Sequence, residues 1–242
     1  MRATRFEFRY RAFIIFALFG VAFSLFNFKD LPLGVVLARW LFAHVGELSQ
    51  NAWYHAVYGF ATLVVVIAAA IRTWGTCYLR ADVMRDPRIH SERLVADGPY
   101  RYVRNPLYIG TVLLGAGMGF MAPSWGFVVL VGGLFVFCLR LVLREESELA
   151  ATQGESYRAY CAAVPRILPA LRARVPAAGN TPKIAEGLKG EIFLWILALA
   201  EGAFAATYNL KVFWIIFVVA FMPGTLFRLA QKLRKVPTQA AP

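Results

Sequence analysis

The chain has 242 residues, 59% of them hydrophobic and only 17% charged, with the apolar residues gathered into long blocks. Such blocks exclude an ordinary soluble domain, whose apolar residues recur at amphipathic spacing. The formal charge of +12 comes from Lys and Arg set between the blocks rather than on one face, so the anionic partner is a membrane surface and not nucleic acid.

In chain order, six blocks approach the roughly 20 residues that a helix needs to cross a bilayer: 12–28, 52–71, 106–122, 124–143, 190–207 and 211–229. The first follows Arg2, Arg5, Arg9 and Arg11 and lacks a small-residue cleavage site after it, so it reads as a retained signal anchor. Segment 31–46 is apolar but interrupted by Pro32, Gly34, Arg39 and His44, and is expected to be interfacial or re-entrant. Ala122-Pro123-Ser124 and Tyr208-Asn209-Leu210 read as tight turns, each closing an antiparallel helical hairpin. Segment 170–183, with Pro169, Pro176, Gly179 and Pro182, reads as an irregular linker.

Basic residues crowd the termini and the segments 72–105 and 144–189, while the other side has only Lys29, Arg39 and Lys211. The positive-inside rule then gives an all-α, multi-pass integral membrane protein of about six helices with both termini cytoplasmic. The expected divisions are an anchor and interfacial region (1–51), a core (52–170), a linker (171–189) and an additional hairpin (190–242). Cys77, Cys138 and Cys161 have neither paired nor metal-ligand spacing, so neither a disulfide nor a metal site is expected.

Two stretches carry chemistry. The first is Leu94-Val95-Ala96-Asp97-Gly98-Pro99-Tyr100-Arg101-Tyr102-Val103-Arg104-Asn105-Pro106-Leu107-Tyr108. Gly98-Pro99 is a turn, Pro106 suits the first turn of the third span, and Asn105 falls at its N-cap, where a helix end can hold a carboxylate or phosphate. The second closes the fourth span: Arg140, Arg144, Glu145, Glu146 and Glu148, then Glu155 and Val164-Pro165-Arg166. Adjacent carboxylates at a helix C-terminus oppose its dipole, which asks for a compensating cation, either Arg144 or a cationic ligand.

Together these stretches resemble the isoprenylcysteine carboxyl methyltransferase and phospholipid methyltransferase family, over roughly residues 60 to 170. The resemblance implies S-adenosyl-L-methionine in a cytoplasmic pocket formed by loops and the ends of the third and fourth helices. It implies that Glu92, Arg93, Leu94 and Val95 line that pocket and that Tyr100 is its aromatic contact. Asn105, Pro106, Leu107 and Tyr108 fall on the family's His-Pro-x-Tyr motif, and Glu145 and Glu146 on its Glu-Glu pair. Asn105 replaces the usual His; it cannot titrate near neutral pH, which leaves binding or capping as its role.

For such a reaction a carboxylate acceptor could be positioned by Arg140 or Arg144, and an amine acceptor would need a base, for which Tyr108 or Glu146 is the candidate. The acceptor is expected to be a lipid or prenylated molecule entering from the bilayer. Glu201 lies inside an apolar block, where a charge is expensive and functional by default, and could contact a polar lipid head. Two other readings stand: an NADPH-dependent membrane reductase of an isoprenoid or sterol-like lipid, and a non-enzymatic transporter or assembly factor centred on Glu201. The first would call for more basic residues beside Glu145 and Glu146, and the second leaves the ordered stretches unexplained.

Overall fold

A computed structural model describes residues 2–26, 30–79, 96–220 and 222. Among these the secondary structure is helical apart from one isolated bridge between Pro32 and Pro123. The helices are α1 (Arg5–Arg9), α2 (Arg11–Ser24), α3 (Leu33–His44), α4 (Gln50–Tyr78), α5 (Pro106–Met118), α6 (Ser124–Ala163), α7 (Ile184–Thr207) and α8 (Leu210–Ala220). Each of the six apolar blocks is helical over its described residues; residues 221 and 223–229 of the last one lie outside them.

Among the described residues three helices, α4, α6 and α7, are long and apolar enough to cross a membrane. Their outward faces leave Leu63, Val128, Val136, Ile192 and Leu199 in the open, as do Phe13 and Phe16 on α2. A surface of that kind is matched to hydrocarbon rather than water, and the chain is a membrane protein.

Local sequence sets the helix ends. Ser49 Oγ accepts from the Ala52 amide and starts α4. Pro106, which lacks an N–H, opens α5 where that group would have no partner. Tyr208 closes α7 in the left-handed conformation, φ 50°.

α4 is the axis of the bundle and packs along both α5 and α7, while α6 packs on α5 and α2. The α4–α5 contact depends on Gly110 and Gly117, one helical face apart: a side chain at either would strike Arg72 or Val65, both on α4. Phe16 of α2 meets Phe193 of α7 edge-on, ring centres 6.4 Å apart, so the helices close into a bundle. The main apolar core is built from α4, α5 and α7, with Val35 and Phe213 added from α3 and α8.

α3 is only 12 residues long, about 18 Å, too short to span. Gly34 abuts the Tyr58 ring and Arg39 reaches the Tyr54 hydroxyl, so α3 runs antiparallel to the first turns of α4. The fourth apolar block ends near residue 143, but its helix does not. α6 continues to Ala163, with a single break at Gly154 (φ 60°, ψ −129°). Glu145 and Glu146 therefore lie within a helix and not at its C-terminus. The cost expected from the helix dipole does not arise, because the carbonyls after them are paired into further turns.

Candidate functional site

The two informative stretches meet at the arginine-rich end of the bundle. The polar extension of α6 turns at Gly154 and brings Tyr157, Tyr160 and Val164 back against Ala96, Leu149 and Val175. The chain then runs beside residues 101–104: the Arg104 amide donates to Pro165 O, Ala170 to Tyr102 O and Arg174 to Arg101 O. Asp97, 3% exposed, fastens the far side of this layer. Its carboxylate accepts from the Ala178 amide (2.7 Å), the Asn180 amide (2.9 Å) and Asn180 Nδ2 (2.6 Å). Burial alone would raise the Asp97 carboxyl, but the hydrogen bonds from Asn180 and Ala178 outweigh it and hold the group below its usual range.

Within this frame the adjacent glutamates have different surroundings. Glu146 is buried and fully committed: Arg104 Nη1 lies 3.2 Å from Oε1, Arg166 Nη2 and Nε lie 2.8 and 2.9 Å from Oε2, and Asn105 Nδ2 donates to Oε1 at 3.0 Å. Asn105 occupies the N-cap position of α5 by backbone geometry but makes no side-chain cap. Its amide instead bridges Glu146 and Arg166 O, so N-capping is not what this side chain does.

Among the described residues Glu145 has one hydrogen bond, from Tyr108 Oη at 2.6 Å. Burial pushes its carboxyl above the usual range, against the pull of that hydrogen bond and of the Arg11 charge. Arg144, the expected counter-ion of the pair, turns away. It binds Glu148 at 2.7 Å, a favourable spacing of four residues, and donates to Ala3 O at 3.0 Å.

Arg140 is engaged from the N-terminal segment. Its Nη2 contacts both oxygens of Glu7 at 2.8 and 2.9 Å, while the Ala3 amide donates to Arg140 O. Thr4 and Glu7 form a capping box that folds α1, and Phe8 packs with Phe137 and Leu141. α1 is thereby laid across α6 beside Tyr108.

Tyr100 is buried against Gly75, and among the described residues its hydroxyl has no hydrogen-bond partner, nor have Arg104 Nε and Arg144 Nε. Pro106 and Leu107 begin α5, and the Leu107 side chain also abuts Gly75. A cavity of about 190 Å³ opens between α5 and α6, apolar along Ile109, Val112, Leu113, Phe135 and Leu139 and polar at Asn105, Tyr108 and Arg166.

Tyr100, Asn105, Pro106, Leu107, Tyr108, Glu145 and Glu146 are thus brought to one end of the molecule. Glu92, Arg93, Leu94 and Val95 lie outside the described residues. Glu201 is elsewhere. It lies ten residues beyond Glu191 on α7, about 15 Å along the axis, with 0% exposure and neither oxygen partnered among the described residues.

Residues that the motifs did not point to also build this end. Arg72 of α4 and Glu191 of α7 form a buried ion pair at 2.8 Å, although the two are 119 positions apart in sequence. The available signal was an arginine at the end of an apolar block followed at once by Thr73 and one turn later by Thr76.

Comparison with known proteins gives one match: residues 52–155 fit the sequence model of the phospholipid methyltransferase family. No curated protein and no solved structure matches the chain. The matched segment runs from the first turn of α4 to the break in α6 and includes Tyr100, Asn105, Tyr108, Glu145 and Glu146. Over this segment, less than half of the chain, the protein is similar to the phospholipid methyltransferase family.

Proposed function

We propose that the protein transfers a methyl group from S-adenosyl-L-methionine to a membrane-resident lipid or prenylated acceptor, at the cytoplasmic face. The observation that carries this reading is Glu145, a half-buried carboxylate that among the described residues accepts one hydrogen bond, from the hydroxyl of Tyr108, which itself lines a cavity between two helices. A carboxylate so placed favours a cationic ligand, because a nearby positive charge recovers what burial costs it. The unpaired Tyr100 Oη and Arg104 Nε offer a donor and acceptor for the polar parts of such a ligand. The residues present therefore fit a sulfonium nucleoside with its amino-acid tail.

When bound, S-adenosyl-L-methionine supplies an electrophilic methyl group. The chain has to place an acceptor in line and keep water out. Glu145 would hold the positive end of the cofactor, Tyr100 would pack on it, and Pro106 and Leu107 would wall its pocket. Asn105 orients the layer through Glu146, whose oxygens are spent on Arg104, Arg166 and Asn105 and so are poorly suited to take a proton. For an amine acceptor the proton leaves through Tyr108 Oη, already directed at Glu145. For a carboxylate acceptor, Arg140 serves once Glu7 releases it, or Arg144 once Glu148 and Ala3 do. The apolar walls between α5 and α6 take the lipophilic tail.

Isothermal titration of the detergent-solubilised protein with S-adenosylhomocysteine tests this, with NADPH as the control ligand. Binding of the nucleoside that is lost in Glu145→Gln is the expected result. Binding of NADPH alone would replace the reading with a reductase.

A further inference from the structure

Glu191 is 1% exposed at the point where α7 crosses α4. Its Oε2 and Oε1 accept from Nε and Nη2 of Arg72 at 2.8 and 3.0 Å, and Oε1 also accepts from Thr76 Oγ1 at 2.9 Å. The third nitrogen of the guanidinium, Nη1, reaches the opposite neighbour. It donates to Leu107 O at 3.1 Å and to Thr111 Oγ1 at 2.8 Å, both on α5. Gly110 lies directly against the Arg72 side chain, where a Cβ would strike its methylene stem.

A planar guanidinium gripped by two carboxylate oxygens has one low-energy orientation. Its remaining N–H bonds then point where the carboxylate aims them. Here they point at the first turn of α5, the turn that carries Asn105 and Tyr108. Glu191 lies beyond the family-matched segment, which ends at residue 155.

We propose that Glu191 is a positioning residue for the site: through Arg72 it fixes the height and rotation of the start of α5, and with them the meeting of Tyr108 with Glu145. α7 is then a working part of the site and not an accessory to it. The ligand part of this inference rests on the methyltransferase reading; the positioning part does not.

The test separates fold from position. Replacing a buried ion pair by apolar side chains of similar size usually keeps stability, so the double variant Arg72→Met with Glu191→Leu keeps the bundle but removes the aim. Three quantities are read in detergent: the melting temperature, hydrogen exchange of the amides 107–113, and titration with S-adenosylhomocysteine. The expected result is a melting temperature near that of the parent, faster exchange at 107–113, and affinity reduced about 10- to 100-fold, the scale of a small misplacement of binding groups. Parental exchange at 107–113 in the double variant overturns the proposal. If the double variant fails to fold, Glu191→Gln, which keeps the shape and loses the charge, takes its place with the same exchange criterion. Absence of nucleoside binding by the parent protein would sink the functional reading, while the exchange result would still decide the role of Glu191.

Discussion

Two buried glutamates occupy opposite situations in this bundle. Glu146, at the arginine-rich end, is met by two guanidinium groups and an amide. Glu201, deep between α4 and α7, is met by no hydrogen-bond partner among the described residues. The difference teaches where the molecule uses charge to hold its shape. At the arginine-rich end the chain is irregular, its apolar clusters are small, and ion pairs and hydrogen bonds tie the layers together. Around Glu201 the helices already pack through Tyr58, Leu197, Ala198, Phe204 and Ala205, so a polar group there adds cost without adding order.

The contrast can be broken from its strong side first. Glu146→Ala leaves the largely buried Arg104 without its carboxylate, and the more exposed Arg166 as well, and is expected to cost about 3–5 kcal/mol, the usual loss when one member of a buried pair is removed, most of it at Arg104. Denaturant unfolding in detergent measures it, and a loss under about 1 kcal/mol would mean that the cluster behaves like surface charge. Glu201→Leu is expected to do the reverse and stabilise by about 1–3 kcal/mol, since it removes an unsatisfied polar group from an apolar site. A destabilised Leu variant would reveal a hidden partner for the carboxyl.

Asp97→Ala is expected to cost about 1–3 kcal/mol, as amides 178 and 180 lose their acceptor. Because the folded carboxyl lies below its usual value of 3.8, its contribution is present above that value and fades as pH falls below it; in the Ala variant that acid dependence should be smaller. The weakest effect is expected at the N-terminal clamp. The Thr4 amide and the Arg140 guanidinium hold the Glu7 carboxyl down at about 2, from 4.5. A lowered carboxyl stabilises above its unfolded value and ceases to do so as pH drops through its folded one. Residues 2–10 should therefore stay protected from exchange at pH 6 and loosen between pH 4.5 and 2, while α4 remains protected.

Much of the helical layout could be read directly from the chain, because long apolar blocks punctuated by Pro and Gly leave few alternatives. Pro106 marked the start of α5 and Tyr208-Asn209 the turn after α7. The continuation of α6 to Ala163 was hidden, since the sequence turns polar at Arg144 and a polar helix leaves no hydropathy signal. The site was legible as two strings, 94–108 and 140–166, but not the pairings within them. That Glu146 rather than Glu145 takes the arginines depends on a helical rotation of about 100° between neighbours, which sends one side chain inward to Arg166 and the other to Tyr108. Arg72 and Glu191 escaped notice because their attraction is written only in space.

α6 has one further consequence. From Ser124 to Glu145 it advances 21 residues without a break, about 32 Å, which is close to the thickness of the hydrocarbon layer. A stiff rod of that length acts as a depth gauge. With its far end seated at one surface, Tyr108 and Glu145 stand at the other, level with the polar heads of the lipids and not with their tails. A thinner bilayer would tilt the rod and draw Glu145 sideways relative to α5, so the thickness of the host membrane becomes a variable of the site.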